Sequence, residues 1–168
     1  MMLGFNTGTL RNAHDPEQIL ELYREIGCTA VELSHSHIAA IDARPEGFGY
    51  VSLHDAPPQP YGDDEASRAL LVQLQERVLR LALDRVVLHP NSVMDWSIIK
   101  QYDIPWGIEN LDARNERFGT PEELVPILEE YDLPLVLDIN HCATRTTHRS
   151  HLLVGFKSFS ERVSLNST

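Results

Sequence analysis

RVVLHPNSVMDWSIIKQYDIPWGIEN, residues 85–110, contains two short apolar runs, each stopping at a side chain able to ligate a metal ion. Arg85-Val86-Val87-Leu88 ends at His89, and Trp106-Gly107-Ile108 ends at Glu109, with Asn110 next. Runs this short, with little polar alternation, suit strands covered on both faces, as in a parallel sheet. The connection from Val93 to Asp103 has room for only a short helix. A parallel sheet delivers the carboxyl ends of all its strands to one rim, with neighbours about 4.8 Å apart. Successive strands ending in His89 and Glu109 would therefore place an imidazole beside a carboxylate.

Outward from this stretch the pattern recurs. Upstream, Tyr50-Val51-Ser52-Leu53 ends at His54; downstream, Leu135-Val136-Leu137 ends at Asp138, with His141 three residues on. Leu3-Gly4-Phe5-Asn6, Ala30-Val31-Glu32-Leu33 and Arg162-Val163-Ser164-Leu165-Asn166 bring the expected strands to seven. About five helices separate them. Asp15-Pro16-Glu17-Gln18 reads as a helix start, with Asp15 as N-cap and Gln18 completing a capping box, and Gly27 ends that helix. Thr120-Pro121-Glu122-Glu123 repeats the start signal. The stretch from Glu65 to Leu83 has no internal Pro or Gly and is the most helical. Ser34 to Gly49 reads as a loop with at most one helical turn. Alternating strands and helices of this kind build either an open doubly wound sheet or a closed barrel. Gly4-Phe5-Asn6-Thr7-Gly8-Thr9 does not fit G-x-G-x-x-G, and no Walker loop is present, so what separates the two is where the reactive residues fall.

Composition narrows the function classes. The chain has 168 residues, enough for one domain with a real core, and no run approaches the roughly 18 apolar residues of a membrane span. MMLGFNTGTLRN lacks the basic start and apolar stretch of a secretory signal, and Cys28 and Cys142 read as packed, reduced thiols. A cytoplasmic location is expected. The net charge is −11 and the densest charge cluster, Asp63-Asp64-Glu65, is acidic, which disfavours a nucleic-acid partner that would need a basic stripe.

His54, His89, Glu109 and Asp138, on four consecutive strands, supply two imidazoles and two carboxylates to one arc. That mix suits a divalent ion, zinc or manganese above all. Within Asp138-Ile139-Asn140-His141, either acidic or imidazole group ligates while the other orients it. Taken singly each residue has a plainer reading, as a loop histidine, a solvated rim glutamate or a turn-capping aspartate; the set of four is what points to a metal. Glu32 points either into the barrel mouth or into a buried ion pair. Asn6 and Asn110 either bind sugar hydroxyls or shape turns. His35 and His37 read as loop residues, and Trp96 and Trp106 as core or as pocket lining.

The motifs GFNTGTL, AVELSH, VSLHDAP, VVLHPN, GIENL, LVLDINH and VSLNST, in that order along nearly the whole chain, resemble the xylose isomerase-like superfamily. That superfamily holds sugar and sugar-phosphate isomerases and epimerases together with endonuclease IV-type AP endonucleases. The resemblance implies an α/β fold, a (β/α) TIM-type barrel that is shortened or incomplete, with about seven parallel strands in a single domain over residues 1–168. It further implies that Glu109 is a metal ligand and catalytic acid/base, and that Asp138 is a ligand. In the endonuclease branch His54, His89 and Glu109 share one zinc and His141 holds another. The chain departs from the pattern at Ser164, where a histidine is expected, and it lacks the last strand–helix unit with its glutamate. Two open edges would follow, for a homo-oligomer or the remainder of a longer product to cover. The expected activity is a metal-dependent isomerase or epimerase of a small carbohydrate or its phosphate, with Glu109 moving a proton through an enediolate and Asn6, Glu32 and Asn110 binding substrate. The alternatives are phosphodiester hydrolysis at abasic DNA and a degenerate, non-catalytic barrel.

Overall fold

The computed structural model describes residues 2–10 and 15–144. Within them lie six strands: β1 (Gly4–Asn6), β2 (Ala30–Ser34), β3 (Tyr50–Asp55), β4 (Arg85–Leu88), β5 (Trp106–Glu109) and β6 (Leu135–Val136). Five α-helices accompany them: α1 (Pro16–Glu25), α2 (Glu65–Leu81), α3 (Trp96–Ile99), α4 (Pro121–Tyr131) and α5 (Ile139–Thr144). All neighbouring strands are parallel and lie in sequence order, β1-β2-β3-β4-β5-β6. A doubly wound sheet reverses its strand order partway across. This one does not, and it curls in a single direction as a half-barrel, the architecture of a shortened TIM-type barrel. The expected seventh strand, Arg162 to Asn166, with Ser164, lies outside the described residues.

Side-chain parity sorts the sheet's two faces. Val31, Leu33, Val51, Leu53, Val86, Leu88 and Ile108 are almost wholly buried, in one core with Leu20 of α1, Leu71 of α2 and Leu124 of α4. Each such side chain contributes about 1.5–3 kcal/mol, so this face holds the fold and the opposite face is left for chemistry. The starts of α1 and α4 follow the sequence signals, although Asp15 caps through Glu17 N–H and not through a box with Gln18. Asp15 accepts from Glu17 N–H, Asp64 from Ser67 N–H, and Thr120 forms a reciprocal capping box with Glu123. The loop after β2 holds one helical turn, Ile38–Ala40. Gly107 sits two residues below Glu109, where a methyl group would come within 2.7 Å of Val136 Cγ2; its bareness lets β6 close against β5.

β6 is shorter than the sequence pattern suggests, and α2 ends two residues early at Leu81. β6 keeps only two residues because Asp138 turns the chain: its Oδ1 accepts the N–H groups of Asn140 (2.6 Å) and His141 (3.0 Å) and starts α5. Among the described residues, no helix is long and apolar enough to cross a membrane.

Candidate metal centre

Strands β3 to β6 bring five ligand-type side chains to the same rim. His54 sits next to the last residue of β3, His89 just after β4, Glu109 at the end of β5, and Asp138 and His141 around the start of α5. Glu109 is at the centre. Its Oε2 lies 2.8 Å from His89 Nε2 and 4.0 Å from His54 Nε2, and its Oε1 lies 3.8 Å from His141 Nδ1. Asp138 Oδ2 is 3.6 Å from His141 Nε2. Two triads result, His54–His89–Glu109 and Glu109–Asp138–His141, and within each the donor atoms lie within 4.8 Å of one another. Donors bind zinc at about 2.0–2.2 Å, so small side-chain rotations would bring either triad onto one ion. Imidazole with carboxylate is also the right chemistry for zinc or manganese. The residues fit a divalent metal.

Hydrogen bonds outside the triads decide which nitrogen each ring presents. His54 Nδ1 is 3.2 Å from Glu32 Oε1, and an ionised carboxylate only accepts, so Nδ1 carries the hydrogen and the neutral ring has its lone pair on Nε2. The same hydrogen bond draws the His54 pKa above its ordinary 6.5, outweighing partial burial, with the charges of Glu32, Glu109 and Asp55 adding to it. His141 Nδ1 is 2.8 Å from the Asn110 carbonyl oxygen, also an acceptor only, so Nδ1 carries the hydrogen and the neutral ring turns the Nε2 lone pair toward the Asp138 side. His89 differs: it is Nε2 that donates to Glu109. That proton must leave when an ion binds there.

The triads open onto a basin of about 940 Å³. Asn6, Gly8, Thr9, Glu32, Ser34, Ser36 and His37 line its other side, and among the described residues no Lys or Arg does. Asn6 and Glu32 therefore stand in the basin, as the sequence suggests. Asn110 does not. It is fully buried, its Nδ2 donates to the Asp138 carbonyl (3.1 Å) and its Oδ1 accepts from Asp138 N–H (2.8 Å). With both ends of the amide engaged by the Asp138 backbone just past β6, none is left for substrate, and its place is to hold Asp138 and His141 against β5. Trp96 and Trp106 are also core: Trp106 packs on Tyr61 and donates to the Ile99 carbonyl, and Trp96 packs on Tyr131.

Sequence reasoning missed the hydroxyls of Thr9, Ser34 and Ser36, and it missed Asp55. Strand parity is the signal that finds the latter: one residue past His54, Asp55 points to the helix side. There it accepts from Tyr61 Oη (2.7 Å) and meets His35 Nδ1 (3.3 Å). Burial raises the Asp55 pKa against both partners, and burial beside Asp55 raises that of Tyr61. His35 is thus part of a buttress behind the rim, not of the basin.

No family model matches the chain, and no curated protein matches it either. Solved structures do. The chain is similar to protein SMc04130 from Sinorhizobium meliloti 1021 at 15% identity and a TM-score of 0.57, over 83% of this chain and 63% of that one. It is similar to the TTHB071 protein from Thermus thermophilus, a structure obtained with ZnCl2 soaking, at 17% identity and a TM-score of 0.51, over 83% of this chain and 66% of that one. This chain spans slightly under two thirds of the length of each. At these identities the likeness establishes the fold, a TIM-barrel-like arrangement.

Proposed function

We propose that this chain is a metal-dependent isomerase or epimerase of the xylose isomerase-like type, acting on a small, uncharged carbohydrate. The observation that carries the reading is the convergence of both ligand triads on Glu109, facing a hydroxyl- and amide-lined basin without Lys or Arg among the described residues. His54 and His89 with Glu109, or Glu109 with Asp138 and His141, would hold the ion. When bound, a divalent ion supplies Lewis-acid polarisation of a carbonyl and its neighbouring hydroxyl. The protein's own contribution is proton transfer and orientation. Glu109 turns Oε2 toward His54 and His89 and Oε1 toward His141, so one oxygen can ligate while the other takes and returns a proton at the carbon beside the carbonyl. Ser34 and Ser36 offer hydroxyl donors and acceptors for a sugar, while the Asn6 amide, engaged by the Gly8 N–H and Glu32, braces that side of the basin. A phosphate would find no Lys or Arg among the described residues of the basin, which favours an unphosphorylated substrate.

The test is solvent-deuterium incorporation. Protein loaded with zinc or manganese is incubated in D2O with a panel of aldoses and ketoses, and carbon-bound deuterium is read by mass spectrometry. The expected result is incorporation at one carbon, abolished in Glu109→Gln; retention of exchange in that variant refutes the acid/base role.

One observation favours a second reading. Two triads sharing a carboxylate resemble the paired-metal sites that hydrolyse phosphodiesters. Salt-dependent binding to an abasic duplex, with cleavage that needs the metal, would support it. The net charge of −11 argues against it. Metal binding without exchange or cleavage would leave a non-catalytic barrel.

A further inference from the structure

Glu32 belongs to neither ligand triad, yet it touches the ligand imidazole of His54 from behind. The contact is part of a chain that crosses three strands. In the sheet register Asn6 of β1 stands beside Glu32 of β2, and Glu32 stands beside Ser52 of β3, two residues before His54. The contact to His54 is therefore diagonal, along the same sheet face. The order of donors is set from the β1 end. Asn6 Oδ1 accepts the Gly8 N–H at 2.6 Å, so the amide must turn its NH2 group the other way, where Nδ2 donates to Glu32 Oε1. Gly8 permits that closeness, since a Cβ there would stand 2.9 Å from Asn6 Oδ1. Glu32 Oε1 then accepts a second hydrogen, from His54 Nδ1.

We infer that Glu32, braced by Asn6, is a positioning residue that holds His54 as its Nδ1–H tautomer and so presents Nε2 to the metal. A free imidazole favours the hydrogen on Nε2, which would block ligation at that nitrogen; the carboxylate reverses the preference and fixes the ring plane as well. Partners of this kind behind a ligating histidine typically change metal affinity by about 10–100-fold. The edge strand β1 thereby acts on the metal centre although, among the described residues, it contributes to neither triad. Only the last step, from tautomer to affinity, rests on the metal reading above.

The experiment separates the two steps. Long-range 1H–15N correlation spectra of metal-stripped, 15N-labelled protein are recorded at about pH 8.5, two units above the ordinary imidazole value. His54 should appear as the Nδ1–H tautomer in the wild type, shift mainly to Nε2–H in Glu32→Ala, and stay Nδ1–H in Glu32→Gln, whose amide oxygen still accepts. Cobalt titration should then show affinity weakened about 10–100-fold in Glu32→Ala and less than about 10-fold in Glu32→Gln. An Nε2–H signal for His54 in the wild type, or an unchanged tautomer in Glu32→Ala, overturns the inference; the wild-type spectrum decides even if the alanine variant does not fold. A tautomer shift in a protein that binds no cobalt would support the Glu32–His54 assignment and refute the metal reading instead.

Discussion

The two sides of the basin hold their imidazoles by different means. On the β2–β3 side a side-chain carboxylate, Glu32, takes the hydrogen of His54 Nδ1; on the β5–β6 side a main-chain carbonyl, that of Asn110, takes the hydrogen of His141 Nδ1. Both leave Nε2 free. A carboxylate brings charge, and His54 accordingly has a raised pKa. A carbonyl brings only a dipole, but no substitution can remove it. The first arrangement is adjustable and the second is rigid, because the Asn110 side chain clamps the backbone of Asp138, just past β6, and with it His141.

The largest effect is expected where the sides meet. Glu109→Gln removes the carboxylate common to both triads and should weaken metal binding by more than about 100-fold, beyond what outer partners give, with the circular dichroism spectrum unchanged. Metal content by elemental analysis checks it, and undiminished content would mean that Glu109 is no ligand.

Next comes the rigid side. Asn110→Ala leaves the half-buried Asp138 N–H without its partner, while the Asp138 carbonyl keeps the Cys142 N–H, so stability should fall by about 1–2 kcal/mol in urea unfolding. A loss below about 0.5 kcal/mol would show that the clamp is not what orders β6.

A finer cut divides Asp138's two oxygens. Asp138→Asn keeps an oxygen for the Asn140 and His141 N–H groups, so stability should fall by less than about 1 kcal/mol, since Asn and Asp cap helices equally well. Metal bound by the second triad should still decline. Equal metal stoichiometry in this variant and the wild type would restrict the centre to His54, His89 and Glu109.

The smallest effect lies away from both sides. Partial burial works to raise the pKa of Asp84, but the Val51 N–H and the Arg44 guanidinium outweigh it and hold the carboxyl below its ordinary 3.8. A depressed folded-state value adds stability above the unfolded-state pKa, and that stability disappears as pH falls through the folded-state value. Asp84→Asn should therefore cost less than about 1 kcal/mol near neutrality, after solvent screening, and nothing below the carboxylate range. Metal affinity should not move. A change there would mean that the base of the half-barrel communicates with its rim.

The rim residues are legible in the sequence alone. His54, His89, Glu109 and Asp138 could be placed because each stands at the end of a short apolar run, and parallel strands must carry such ends to one rim. An asparagine after a strand looks the same in sequence whether it faces a basin or, as Asn110 does, a neighbouring backbone. Glu32 is ambiguous for a similar reason: parity puts it on the polar face, but not on His54. Asp138 reads in the sequence both as the end of a strand and as a turn cap, and its Oδ1 does cap, drawing the chain into α5 two residues early.

Strand periodicity, helix caps and the identity of the rim residues are properties of neighbours in the chain, and the sequence by itself determined them. Strand order, curl and register relate residues roughly 20 to 30 positions apart. Only the tertiary structure could decide that Glu32 meets His54, that Asn110 turns inward, and that Asp55 and His35 pair behind the rim. The physical reason is that a hydrogen bond depends on ångström-scale placement of two side-chain atoms, which follows from how adjacent strands are offset and rotated and from nothing local to either residue.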